Sequence, residues 1–365
     1  PTQHSVRELR GIGISPDAIV CRTQSALPMP LELKEKIALF CDVPPSAVVQ
    51  NGDARTIYQV PLNLEAEGLA QAAIRKLNLP ATRPSLNDWV AIADRLLHPE
   101  HHVTIALIGK YVELKDAYIS INEALAHAGV FYHASVEIKR IDSELVEKEG
   151  TDVLRGAHGV LVAPGFGARG VNGKLRAIHY VREHQIPFLG ICYGMQLACV
   201  EFARNVCELP EAMTSEVDET TVDPVIDFMP DQRNLEMYGG TMRLGTYACT
   251  LQEGSQAARA YGTLEISERH RHRYEFNNRY RPIFEEHGMR FSGHHTIGKT
   301  RLVEVIELPP EMHPWFVATQ AHPEFKSRPN RPAPLYRDFI GAALAHQERI
   351  DGKASLREAA TWTQA

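Results

Sequence analysis

The sequence predicts an α/β protein built on a mostly parallel central sheet with helices on both faces. Three observations support this. The apolar run Val103-Thr104-Ile105-Ala106-Leu107-Ile108, ending in Gly109, has the composition of a strand buried on both sides. Helix-like and strand-like stretches then alternate as far as Cys192, as they do when βα units share one sheet. Glycine-rich turns follow two of the apolar strands, at the carboxyl ends where open α/β sheets gather their ligands.

Taken in order, Leu31 to Cys41 and Leu62 to Leu77 carry helical periodicity, and short strands and turns fill the rest of residues 1–79. Leu79-Pro80-Ala81-Thr82-Arg83-Pro84-Ser85 interrupts that pattern, because proline breaks helices and pushes the residue before it toward extended backbone. We therefore expect a small α/β unit over 1–79, a linker over 80–101 containing a helix from Leu86 to Leu97, a main domain over 102–349 and a solvated tail over 350–365. Within the main domain the order is strand Val103 to Ile108, helix Asp116 to Ala128, strand Ala134 to Ile141 and strand Gly159 to Ala163. Helix Lys174 to His184 and strand Pro187 to Ile191 follow. Beyond Ala203 the alternation lapses into a loop-rich stretch. Strands return at Met289 to Ser292, Leu302 to Leu308 and Phe316 to Gln320, and a helix from Pro334 to Gln347 closes the layer.

A chain of 365 residues can bury a sizeable core without disulfides, and its net charge of −6 does not suggest a nucleic-acid surface. Six cysteines without CxxC pairs suit a reducing compartment. No apolar run approaches the length of about 18 residues that spans a bilayer. These features lead us to expect a cytoplasmic protein with neither nucleic acid nor membrane as partner. A start at Pro1 fits either removal of an initiator or a longer polypeptide.

The most informative stretch is Gly190-Ile191-Cys192-Tyr193-Gly194, where a buried strand runs through Gly-x-Cys-x-Gly into a helix. Small residues on both sides allow the sharp turn that lifts a nucleophile above the sheet edge, and the following helix N-terminus favours thiolate there. A thiol nucleophile needs a base, and the base an orienting carboxylate. His322 and Glu324 in Thr319-Gln320-Ala321-His322-Pro323-Glu324 stand at the end of another strand, hence on the same rim. Ala163-Pro164-Gly165-Phe166-Gly167 forms a third turn, whose backbone amides could join the N–H of Tyr193 in an oxyanion hole. Taken alone, that segment reads as a tight turn.

Two other segments attract attention. Gly293-His294-His295-Thr296-Ile297-Gly298-Lys299-Thr300 spells a phosphate-loop pattern, but an alternating strand follows where a helix would have to begin, so we read a hairpin. Glu268-Arg269-His270-Arg271-His272-Arg273-Tyr274 is the densest basic cluster. No carboxylate or thiol stands at ligand spacing, so no metal is expected there, and arginines suited to gripping a substrate carboxylate are the better use.

Together with Pro1-Thr2-Gln3-His4-Ser5-Val6, Lys36-Ile37-Ala38-Leu39-Phe40-Cys41, Gly109-Lys110-Tyr111-Val112-Glu113-Leu114 and Gly239-Gly240-Thr241-Met242-Arg243-Leu244-Gly245, these segments make the chain resemble the CTP synthase family over nearly its whole length. The resemblance implies a class I glutamine amidotransferase-like, flavodoxin-like fold, preceded by the C-terminal remnant of a synthase domain. It also implies a Cys192–His322–Glu324 triad, oxyanion donors at Gly165 and Tyr193, and glutamine contacts from Gly165, Tyr193, Gln196, Glu216 and Arg273. Thr2, Gln3 and Lys36 match the trailing part of the UTP/CTP-binding pattern.

The family converts UTP to CTP with ATP and Mg2+, using ammonia released from L-glutamine. GTP is its activator, and the complete enzyme is a homo-oligomer, a tetramer in the family. No cofactor is implied for the amidotransferase domain itself. The pattern of the family's first half lies outside this sequence, so glutamine hydrolysis is the half-reaction expected here. Three departures bear on efficiency. Pro164 replaces a glycine, Tyr193 stands where leucine is common, and Met213-Thr214-Ser215-Glu216 differs around the glutamine contact. A chain kept only as a binding or assembly module is the competing expectation.

Overall fold

The computed structural model describes residues 1–24, 27–81, 85–114, 116–228 and 242–362. The chain divides into two compact units, Pro1–Pro99 and Glu100–Ala365.

The first unit contains α1 (Thr2–Gly11), β1 (Ile19–Thr23), α2 (Leu31–Cys41), β2 (Val48–Gly52), α3 (Val60–Ala66), α4 (Leu69–Leu77) and α5 (Asn87–Leu97). β1 and β2 pair in parallel, and Val6, Ala38, Cys41, Val43 and Val48 form a small core with them. α2 spans the residues expected of it. The helix expected from Leu62 to Leu77 is instead two helices, because Gly68 between them adopts φ 82°, a left-handed conformation that ends α3. α1 occupies a stretch expected to hold turns and short strands. It is polar apart from Val6 and Leu9, and only Val6 is buried, so its periodicity is faint. α5 lies in the segment expected as linker, and its Trp89 stacks on Tyr58 at 6.0 Å between ring centroids. Three residues of the expected break, Thr82, Arg83 and Pro84, lie outside the described residues.

The second unit runs β3 (His101–Gly109), α6 (Ile119–Phe131), β4 (Ala134–Asp142), α7 (Ser143–Glu149), β5 (Gly159–Val162), α8 (Val171–Glu183), β6 (Phe188–Ile191) and α9 (Tyr193–Asn205). It continues with β7 (Ala212–Thr214), β8 (Asp223–Phe228), β9 (Arg243–Leu251), α10 (Gln256–Tyr261), β10 (Glu265–His272), β11 (Tyr274–Phe276), α11 (Arg281–Glu286), β12 (Arg290–Ile297), β13 (Thr300–Leu308), β14 (Phe316–Thr319) and α12 (Pro334–Trp362). Among the described residues a nine-stranded sheet has the order β10-β9-β12-β13-β14-β6-β5-β3-β4. The five strands from β14 to β4 are mutually parallel, and the four at the other side join antiparallel.

Alternation along β3 divides the core into two layers. Ala106 and Ile108 face one layer with Ala177, Ile178 and Leu197, while Ile105 and Leu107 face the other with Ala124, Leu125, Phe339 and Ile340. This is the α/β arrangement the sequence predicts. The loop-rich reading beyond Ala203 is corrected, since β7 to β11 lie there. In β10 the alternation was present but written in charged residues, with Glu268, His270 and His272 inward and Arg269 and Arg271 outward. Gly293 to Thr300 is the expected hairpin, with Ile297 opposite Thr300. α12 continues to Trp362, beyond the Gln347 limit expected for it. Among the described residues no helix is long and apolar enough to cross a membrane.

Candidate active site

β6 and β14 are neighbouring parallel strands with Ile191 opposite Thr319, so the residues that follow each strand leave the sheet at one edge. Cys192 comes directly after β6 with φ 52° and ψ −103°, a strained conformation, and its N–H is held by Thr319 O at 2.7 Å. The flanking glycines make this turn possible. A Cβ on Gly194 would lie 2.3 Å from Val162 O, and one on Gly190 would lie 2.8 Å from the Ala318 Cβ. Cys192, the N-cap of α9, therefore has the backbone geometry of a strand-to-helix elbow.

His322 follows β14, its N–H held by Arg269 O at 2.8 Å and its ring stacked on Phe325. Its Nδ1 lies 2.8 Å from Glu324 Oε1, and Tyr336 donates to the other carboxylate oxygen at 3.4 Å. Burial alone would depress His322. The charge and hydrogen bond of Cys192 and then those of Glu324 outweigh burial and push the imidazole up to about 10. Gln320 Nε2 donates to the Cys192 sulfur at 3.5 Å. Cys192, His322 and Glu324 border a cavity of about 730 Å³ that Gly165, Gln196, Glu216 and Arg273 also line.

The glycine-rich turn is held from several sides. Lys110 Nζ donates to the carbonyls of Phe166 and Gly167. The Tyr193 hydroxyl also reaches Gly167 O, at 2.8 Å, and Glu216 Oε1 accepts from Gly167 N at 2.8 Å. Burial raises Glu216, against the lowering influence of Gly167 N–H, Lys110 and Arg273. No acceptor among the described residues takes the N–H of Gly165. The N–H of Tyr193 is among the first-turn amides an α-helix leaves unpaired. Gln196 gives its Nε2 to Tyr274 O and Gln320 Oε1, and among the described residues its buried Oε1 and the Nε of Arg273 have no partner. The structure thus brings Cys192, His322, Glu324, Gly165, Gln196, Glu216 and Arg273 to one cavity, with Tyr193 directly behind.

Thr2 and Gln3 begin α1 and Lys36 lies exposed on α2; none of them lines the 310 Å³ cavity of the first unit. Gly239, Gly240 and Thr241 lie outside the described residues. Sequence reasoning left Lys110, Gln320 and Lys174 without roles, although the first two stand in segments singled out above. The view that the basic cluster has no carboxylate partner is corrected. Glu304, on β13, brings its carboxylate within 4.8 Å of the His270 and His272 ring nitrogens. Arg243 fills the same nest, at 2.8 Å from Glu304 and 3.0 Å from Glu275, so a resident cation already sits among those groups.

Residues 113–342 match the family Glutamine amidotransferase class-I, and residues 1–79 match CTP synthase N-terminus. The glutaminase domain of Trypanosoma brucei CTPS, solved with bound acivicin, is similar at 34% identity and a TM-score of 0.62, covering 66% of this chain and 93% of that one. The chain belongs to the class-I glutamine amidotransferases of the CTP synthase family. CTP synthase of Moorella thermoacetica is 55% identical over 343 residues, which is 94% of this chain and 63% of that protein. CTP synthase of Methanocaldococcus jannaschii is 52% identical over 354 residues, 95% of this chain and 64% of that protein. The chain therefore spans slightly less than two thirds of the length of these CTP synthases.

Proposed function

We propose that this chain hydrolyses L-glutamine and supplies the ammonia for ATP-dependent amination of UTP to CTP. The observation that carries the reading is the strained Cys192 elbow facing a His322 whose Nδ1 is held by Glu324 at 2.8 Å. In the proposed reaction the Cys192 thiolate adds to the side-chain amide carbon, and the resulting oxyanion accepts hydrogen bonds from the N–H groups of Gly165 and Tyr193. Protonated His322 gives its proton to the amide nitrogen, the C–N bond breaks, and ammonia leaves a glutamyl thioester on Cys192. Water, losing a proton to His322, then cleaves the C–S bond to give glutamate and free Cys192. Arg273 would grip the α-carboxylate of glutamine, and Glu216 and the free Oε1 of Gln196 its ammonium group.

Thr2, Gln3 and Lys36 would contribute to the UTP/CTP site of the complete enzyme, which would also require ATP and Mg2+, respond to GTP and assemble as a homo-oligomer in the cytoplasm. The amidotransferase reading is tested by ammonia and glutamate release from glutamine. Release by the native chain and none by Cys192→Ala supports it, while a native chain without turnover, even beside an intact synthase partner and GTP, contradicts it.

A further inference from the structure

Lys174 is fully buried at 0% exposure and takes no part in the chemistry above. It stands in the first turn of α8, which can approach closely because Gly170 and Gly173 sit against Ser143. A Cβ at either glycine would fall within 2.0 Å of a Ser143 oxygen. The Lys174 amine donates to Ala163 O at 3.2 Å and lies 5.1 Å from the centroid of the Tyr193 ring. A Cβ on Gly165 would lie 3.4 Å from the same nitrogen.

Consider the backbone between Ala163 and Gly165. The Ala163–Pro164 peptide plane is held at its carbonyl by Lys174, and the plane before it, Val162–Ala163, by the bond from Ala163 N–H to Ile108 O at 3.0 Å. The next plane, which carries the N–H of Gly165, is joined to it through the φ and ψ of residue 164. Proline locks that φ near −65°, so ψ alone remains to aim the amide. We propose that Lys174 is a positioning residue that, together with Pro164, directs the Gly165 N–H into the oxyanion pocket before substrate arrives. On this account the proline that departs from the family's pattern narrows the freedom of the turn to the benefit of the pocket. The inference rests on the glutaminase reading above. Burial pushes the amine down to about 7, Lys110 adds to that, and Cys192 and Asp142 oppose it. The bond to Ala163 O survives loss of that proton, since a neutral amine still donates.

The test uses the full chain with Lys174→Met, which keeps an unbranched side chain and removes the donor, and with Pro164→Gly, which frees φ. Losing an oxyanion donor outright costs about 10²–10³ in kcat, so misdirecting one is expected to cost Lys174→Met at least about tenfold. KM for glutamine should stay within about threefold, because the contacts proposed for its α-carboxylate and ammonium, at Arg273, Glu216 and Gln196, are untouched. The high-pH plateau rate of Cys192 alkylation by iodoacetamide, which needs no oxyanion donor, should stay within about twofold. Pro164→Gly is expected to lower kcat about threefold, and the double variant to lose more than the product of the two, since each substitution frees the same amide.

A native kcat in Lys174→Met, or alkylation that falls in step with kcat, would overturn the proposal. Should Lys174→Met fail to fold, an unchanged kcat in Pro164→Gly overturns it instead. A native chain that hydrolyses glutamine while Lys174→Met matches it defeats this inference alone, whereas a native chain without turnover defeats the glutaminase reading beneath it.

Discussion

Substitution of Gly194 by alanine tests the elbow with little change in chemistry. The added Cβ would sit 2.3 Å from Val162 O, where ordinary contact begins at 3.4 Å, so a gap of about 1 Å must be opened. The obstructing atom is backbone and cannot rotate away. Val162 lies in β5, which is paired on one side with Ile108 of β3 and on the other with Gly190 of β6, so the strand is clamped. The start of α9 must therefore move, and with it Cys192 and the Tyr193 N–H. A displacement of about 1 Å at reacting groups costs about 10²-fold in rate, and an extra methyl group in a packed interior costs about 1–3 kcal/mol of stability. We expect Gly194→Ala to lose about 10²-fold in glutaminase kcat, measured by coupled glutamate detection, and about 1–3 kcal/mol in urea unfolding. Activity within threefold of native, with stability unchanged, would refute the geometric argument for the elbow.

Other expectations follow from the same geometry. Glu324→Gln keeps the shape but presents its amide to His322 Nδ1, and should lower kcat by about 10²–10⁴ with KM little changed; near-native turnover would remove Glu324 from the triad. Cys192→Ala removes the charge and hydrogen bond that do most to raise His322, so its titration, followed by NMR of the ring nitrogens, should move well below about 10; an unmoved midpoint would deny the pairing. Arg273→Ala should raise KM for glutamine at least about tenfold with a smaller loss in kcat, as expected of a group gripping the substrate's α-carboxylate; an unchanged KM contradicts that contact. Arg243→Met leaves Glu275 and Glu304 buried without their cation and should destabilise by about 3–5 kcal/mol. Glu275 is driven up to about 8 by burial and by Glu304, against Arg243, and a raised carboxyl loses its stability contribution as pH climbs from the unfolded value of 4.5 through 8. The variant should therefore unfold more easily at pH 9 than at pH 6, and the opposite order would refute the sign.

The main parallel sheet was legible because β3, β5, β6 and β14 are largely buried on both faces and so appear as apolar runs, and the elbow because Gly-x-Cys-x-Gly leaves little choice of backbone. His322 and Glu324 could be placed because a strand end fixes the rim. What remained hidden was tertiary in origin. The inward residues of β10 are Glu268, His270 and His272, whose period of two was masked by charge; Glu304, which His270 faces, and Arg243, which pairs with Glu304, come from other strands of the sheet. The acidic α7 is short and is capped by Asp142, whose carboxylate accepts from Glu144 N, a local signal too weak to register beside the neighbouring strand. Beyond its place at the start of a helix and the glycines before it, nothing in the sequence around Lys174 marks it as buried. Gly170 and Gly173 just before it were the one hint that the helix packs close enough to bury it.

The most direct test is to incubate the full chain with 6-diazo-5-oxo-L-norleucine, a glutamine mimic that captures an attacking thiolate, and to map the product by intact mass and peptide mass spectrometry. All six cysteines are free thiols, so the sulfur that reacts is a real choice. A single adduct on Cys192, suppressed by excess glutamine and by Glu324→Gln, is the expected result. No adduct, or labelling of other cysteines in preference to Cys192, would mean that the thiol at the strand end does not attack glutamine.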